Sequence, residues 1–214
     1  MNIRVKNFIV SILTLYSLST IGQSKDDITD TRKKNESFAK VPKGAVRSDL
    51  AIFTLAGVDE SIGKEEIKKI PFSSFGTNSM TFDGDNIKAI VSTAPFDPAN
   101  HKLAYDEKTL IKIDKKTYYG NYGSIPKAYI SSLVITIDKD TISIPSTAWS
   151  DLYNLNFFYT DKGTQRSLNG IYSSKDGHRI YLYLFNKDNT GSYEVTWIIQ
   201  DKKYLRRVLD YGFM

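Results

Sequence analysis

His178 stands two residues after Asp176, at the start of a run that alternates apolar side chains. An imidazole held by a carboxylate is half of a general acid/base system, and it needs a nucleophile beside it. Ser173 and Ser174 are near in sequence, but no Gly-x-Ser-x-Gly elbow exposes a strained serine. A surface histidine at a strand start explains the same residues. His101, the other of the two histidines, closes the loop Phe96-Asp97-Pro98-Ala99-Asn100-His101. No HExxH word places two histidines on one helix face, and a site joining His101, His178 and Asp97 across the fold has no support in their spacing. No catalytic residue is assigned from these words.

Asp83-Gly84-Asp85-Asn86 resembles half of a calcium loop. Calcium takes about six to eight oxygen ligands, and this run offers two carboxylates and one amide. A hairpin turn is the expectation. Asn186–Glu194, which contains Asp188, Asn189, Thr190 and Gly191, has the same defect, since Trp197 stands where a bidentate glutamate belongs. The chain has no Cys, which removes disulfides and thiolate metal centres. Neither a metal nor a cofactor is expected, because phosphate loops and dinucleotide fingerprints are also missing from the sequence. Carboxylate pairs for glycoside hydrolysis are assembled by folding, so the sequence leaves Glu60, Glu65, Glu66, Glu107 and Glu194 open. Glu194 lies inside a strong strand, where pairing with a cross-strand Lys or Arg is the ordinary fate.

The most distinctive word is Tyr118-Tyr119-Gly120-Asn121-Tyr122-Gly123. Tyrosine supplies rigid, amphipathic contact area suited to stacking on sugars or on a protein partner. Tyr118, Tyr119 and Tyr122 are therefore the candidate binding residues. The competing explanation is that they close one end of a β-sandwich core.

The elements that must position these groups read mostly as strands. Asn169–Ser173, His178–Phe185, Tyr193–Gln200 and Tyr204–Leu209 are separated by short turn words, which predicts an antiparallel meander. Ile180, Leu182 and Leu184 alternate with Tyr181, Tyr183 and Phe185, so both faces of that strand need cover. Ile87–Thr93, Leu110–Asp114, Ala128–Ile137 and Thr141–Ile144 continue the pattern. Helix signals are thin: Ser61–Ile70 is interrupted by Gly63 and stopped by Pro71, and Ser146–Asn154 is a short candidate. The expected fold is mainly β, an antiparallel β-sandwich or partly open barrel with a C-terminal meander and one or two short helices. The alternative is α+β with one antiparallel sheet.

Met1–Gly22 has the layout of a secretory signal peptide. Arg4 and Lys6 form a basic start, Phe8–Ile21 is uncharged and largely apolar, and Thr20 and Gly22 are small residues before Gln23. Its apolar stretch is shorter than the roughly 20 residues that span a bilayer, and no later stretch reaches that length. Gln23–Gly44 is polar and is expected to be disordered or loosely held. Residues 45–214 then form a single β-rich domain. Removing Arg4 and Lys6 with the signal lowers the net charge from +5 to +3. The basic words Arg32-Lys33-Lys34 and Lys202-Lys203 with Arg206-Arg207 lack a surrounding basic stripe, so they read as solvated surface, and no nucleic-acid partner is expected. These features together predict an exported, non-catalytic binding or interaction protein of the envelope or extracellular space, with a protein or glycan partner. A secreted hydrolase acting on glycans or esters, and an envelope structural subunit, are the alternatives.

Overall fold

A computed structural model describes residues 30, 32–60, 66–187 and 192–213. The signal-like segment, part of the Ser61–Ile70 helix candidate and the Asp188–Gly191 turn therefore lie outside the described residues. The elements are α1 (Ala45–Phe53), β1 (Lys68–Ile70), β2 (Phe72–Phe75), β3 (Ser79–Gly84), β4 (Ile87–Pro95), β5 (Leu103–Asp106) and β6 (Thr109–Ile113). There follow β7 (Ala128–Ile137), β8 (Asp140–Thr141), β9 (Tyr159–Asp161), β10 (Thr164–Arg166), β11 (Gly170–Ser173), β12 (Arg179–Asn186), β13 (Ser192–Gln200) and β14 (Lys203–Phe213).

The fold is mainly β and antiparallel, as the alternation predicts. One five-stranded sheet runs β1-β11-β12-β13-β14, so the expected C-terminal meander is its body. A second runs β2-β3-β4-β7-β8, and the hairpins β5-β6 and β9-β10 stand apart from both. The sheets do not close into a barrel. Ile180, Leu182 and Leu184 of β12 and Val195, Trp197 and Ile199 of β13 share one buried cluster with Phe82, Val91 and Ile135 of the other sheet. This is the sandwich core, and burying such side chains stabilises by about 1.5–3 kcal/mol each.

The opposite face of the first sheet is covered too. Tyr181, Ile198 and Val208 pack against Phe38, Val41, Leu50 and Ala51 of the N-terminal segment. That overturns the expectation of a loose polar tail for its described part. Phe38 and Val41 supply little apolar area, and charged groups do the rest of the anchoring. The Phe38 N–H donates to buried Asp210 (2.7 Å), and the Leu209 N–H donates to the Glu36 carbonyl (3.0 Å). The Arg32 guanidinium lies 4.0 Å from the Tyr122 ring centroid and 4.2 Å from that of Tyr211. Two arginines expected on solvated surface, Arg32 and Arg207, are buried.

The helix candidates are corrected as well. Lys68–Ile70 is a strand, and Ser146–Ala148 is one 3-10 turn. The α-helix falls at Ala45–Phe53, where Val46, Leu50 and Phe53 share the face turned to the sheet. Among the described residues no helix is long and apolar enough to cross a membrane.

Candidate functional site

A two-residue turn begins the site. Asp114 and Lys115 both have positive φ, 49° and 66°, and Ile113 bridges to Lys116 across them. That geometry suits a tight hairpin reversal. It swings Asp114 back toward the loop after β4, where its Oδ1 accepts the Lys102 N–H (2.9 Å) and its Oδ2 lies 2.7 Å from His101 Nδ1. These bonds hold the Asp114 carboxyl below the usual range, the Lys102 amide first and His101 second. The imidazole stacks on Phe96 with centroids 4.4 Å apart. Asp97, the nearer carboxylate in sequence, is engaged instead with the Ala99 N–H and the Asn100 side chain.

Strand β7 forms the next wall. Ser132 pairs with Ser92 and Ile130 with Thr93, which leaves Ser131 as an extra residue. Bulges of this kind re-aim side chains next to sites. Here the shift brings Tyr129, Ile130 and Ser131 to the cavity wall. The third wall is the segment after Pro145. It is pinned from beneath by the first sheet: Trp197 Nε1 donates to the Ala148 carbonyl (2.9 Å), and Arg207 grips Asp151 with two bonds of 2.6 and 2.7 Å. Tyr119 N–H donates to Asp151 O, and Tyr153 N–H donates to Tyr119 O, both at 2.9 Å. Trp149, Asp151 and Tyr153 are thereby set opposite His101 and Asp114.

The result is a cavity of about 270 Å³ with tyrosine and tryptophan walls. Tyr153 is 5% exposed and lines the cavity. Burial, then the charges of Asp114 and Asp151, push its hydroxyl up to about 12, so it is a phenol that donates. Trp149 Nε1 is buried without a partner. Comparison with known proteins finds no match among family models, curated proteins or solved structures.

The sequence-predicted binding residues occupy this neighbourhood without presenting a surface. Tyr118, Tyr119 and Tyr122 are 1%, 6% and 4% exposed. The Tyr118 hydroxyl binds its own loop, accepting the Gly123 N–H (2.9 Å) and reaching the Leu110 and Ser124 carbonyls (3.1 Å each). Arg32 lies over the rings of Tyr119 and Tyr122. The exposed aromatic face expected there is consumed by the chain itself, and only Tyr118 reaches the cavity wall. Tyr153, Trp149 and Asp114 went unnoticed in the sequence. The first two read as the packed face of a short helix, and Asp114 read as the end of a strand.

The other histidine belongs to a broad groove of about 1020 Å³, framed by the turns at one end of the sandwich. His178 Nδ1 lies 2.8 Å from Asp201, and Asp176 accepts the Ser174 hydroxyl (2.5 Å) and the His178 N–H (3.0 Å). Lys68 pairs with Asp85 (2.7 Å) and Lys202 with Asp138 (2.6 Å). Such pairs are exposed to solvent and screened by it. Asp83 and Asp85 of the calcium-like word form a turn, with Asp85 and Asn86 at φ 52° and 60°, and each pairs with a lysine. Among the described residues no three acidic or histidine side chains gather around a point that suits a metal ion.

Glu194 and Asp210 do converge, as register partners on β13 and β14. Among the described residues neither forms an ion pair, although Lys34 acts on Asp210 through space. Glu194 accepts the Leu55 and Ala56 N–H groups and the Tyr183 hydroxyl, each at 2.8 Å, beneath the N-terminal segment. This carboxylate pair fastens backbone, and the segment shuts it from substrate.

Proposed function

We propose that the chain is an exported, non-catalytic binding protein of the envelope or extracellular space, and that its ligand occupies the aromatic cavity at Tyr153. The Tyr153 hydroxyl carries this reading. It belongs to the cavity lining, where a phenol can donate to a bound molecule. A cavity with aromatic walls and a few polar groups is the ordinary form of a small-molecule site. The His101–Asp114 pair supports binding over turnover, because neither histidine hydrogen-bonds a serine or threonine hydroxyl among the described residues. Export rests on the layout of Met1–Gly22.

Two measurements test this. The mass of the protein recovered from outside the cytoplasm is expected to begin at Gln23, and a cytoplasmic product retaining Met1–Gly22 would overturn export. Native mass spectrometry of the protein taken from its own cells is expected to show a small ligand that Tyr153→Phe loses. Chemical conversion of that ligand by the purified protein would make it an enzyme. A stable oligomer carrying no ligand would make it a structural subunit.

A further inference from the structure

The polar groups of the aromatic cavity narrow its occupant, an inference that rests on the binding reading above. Donors are present in the Tyr153 hydroxyl and the Lys116 ammonium. Acceptors are present in Asp114 and Asp151, whose carboxylates keep lone pairs beyond the bonds they already make. His101 Nε2 adds one more group, because Nδ1 is committed to Asp114.

Each lining carboxylate has a cation near it: Lys116 acts on Asp114 through space, and Arg207, shared with Glu36, grips Asp151 from behind. An anionic ligand would face two carboxylates, and a cationic one would face Lys116 with Arg207 behind Asp151. What suits the site is an uncharged molecule whose groups give and take hydrogen bonds at close spacing. Hydroxyls around a saturated ring do both. The faces of such a ring are apolar C–H surfaces, and the walls at Tyr129, Trp149 and Tyr153 are aromatic. The volume of about 270 Å³ lies at the lower edge of small-molecule sites, which fits one ring and not two.

We propose that the cavity between the β5–β6 hairpin, β7 and residues 146–153 binds a single neutral sugar ring, free or as the terminal unit of a glycan.

The experiment is ligand-observed NMR on the full chain at millimolar ligand. The panel contains glucose, galactose, mannose and N-acetylglucosamine, their methyl glycosides and tetrasaccharides, with glucuronate, glucosamine and choline as charged competitors. At least one neutral ring is expected to bind. Tyr153→Phe, which removes a hydroxyl from the cavity lining, is expected to weaken it about tenfold. Trp149→Leu is expected to abolish it, and His178→Gln in the distant groove is expected to leave it unchanged. Equal binding of monosaccharide and tetrasaccharide identifies the free sugar as sufficient, and a clear gain for the tetrasaccharide identifies a glycan end. Preference for glucuronate, glucosamine or choline, lost in Tyr153→Phe, would overturn the neutral-sugar assignment and leave the cavity as the binding site. Silence across the panel, with no small ligand on the protein from its own cells, would overturn both.

Discussion

A Cβ built on Gly120 would stand 2.1 Å from the Tyr153 carbonyl oxygen. Gly120 also has φ +91°, where side chains are strained. No rotamer relieves a clash between backbone atoms, so Gly120→Ala must push the Tyr153 strand segment away from the loop. Left-handed strain of about 1–2 kcal/mol and overpacking of about 1–3 kcal/mol add, giving an expected loss of about 2–5 kcal/mol in urea denaturation. Because the displaced atoms belong to Tyr153, ligand binding should fall further than stability alone explains at temperatures well below the melting transition. The tyrosine-glycine word was conspicuous in sequence for this reason. What it hid was direction: Arg32 stands 86 residues before Tyr118, and no local pattern announces that it will lie over the Tyr122 ring.

At the scale of elements, the strands with the longest apolar alternation were the legible ones. β12 shows two apolar faces in sequence and has both covered in the fold, whereas β13, with Glu194 and Thr196 on its second face, is buried on both as well. β9 and β10 are short, largely exposed and polar, so nothing in their periodicity separates them from loop. Helix α1 spans only nine residues, and Val46, Leu50 and Phe53 are its sole periodic signal. Its exit is held by Glu194, whose carboxylate takes the Leu55 and Ala56 amides. Burial raises the Glu194 and Asp210 carboxyls above their ordinary values, with bonded backbone amides opposing the shift at both sites. A carboxyl with a higher pKa when folded binds its proton more tightly in the folded chain. Stability from these two groups therefore declines as pH rises from the ordinary carboxylate range through the raised values. Asp114, held low by its bonds, has the opposite sign and loses its contribution as pH falls through its lowered value. Glu194→Gln is expected to lower stability by about 1.5–3 kcal/mol through lost charged hydrogen bonds. It should also flatten the decline above the ordinary glutamate range, which urea midpoints measured across pH will read. An unchanged slope would assign the decline to Asp210.

For the whole molecule, the decisive residue is Arg207, because it touches three layers at once. From β14 its guanidinium reaches Glu36 in the N-terminal segment (2.6 Å), Asp151 in the cavity wall and the Ala148 carbonyl (3.1 Å). Its side chain is 8% exposed and that of Asp151 14%, so the Asp151 pair is shielded from water. Removing one partner of such a pair costs about 3–5 kcal/mol, chiefly because the other charge is left buried alone. The sequence shows Arg206-Arg207 as a basic doublet and cannot say that one member points inward, since its partners lie 171 and 56 residues away. Arg207→Ala is expected to cost that amount and, in amide exchange, to speed exchange in two separate places, residues 33–38 and 148–153. Arg206→Ala, half-exposed on the neighbouring position, should move neither. If only the 148–153 amides respond, the N-terminal segment is held by Asp210, Arg32 and the Phe38 cluster without help from Arg207. If both respond together, the cover over the first sheet and the wall of the cavity open as one unit, and a ligand that closes the cavity must also tighten the segment more than 100 residues earlier in the chain.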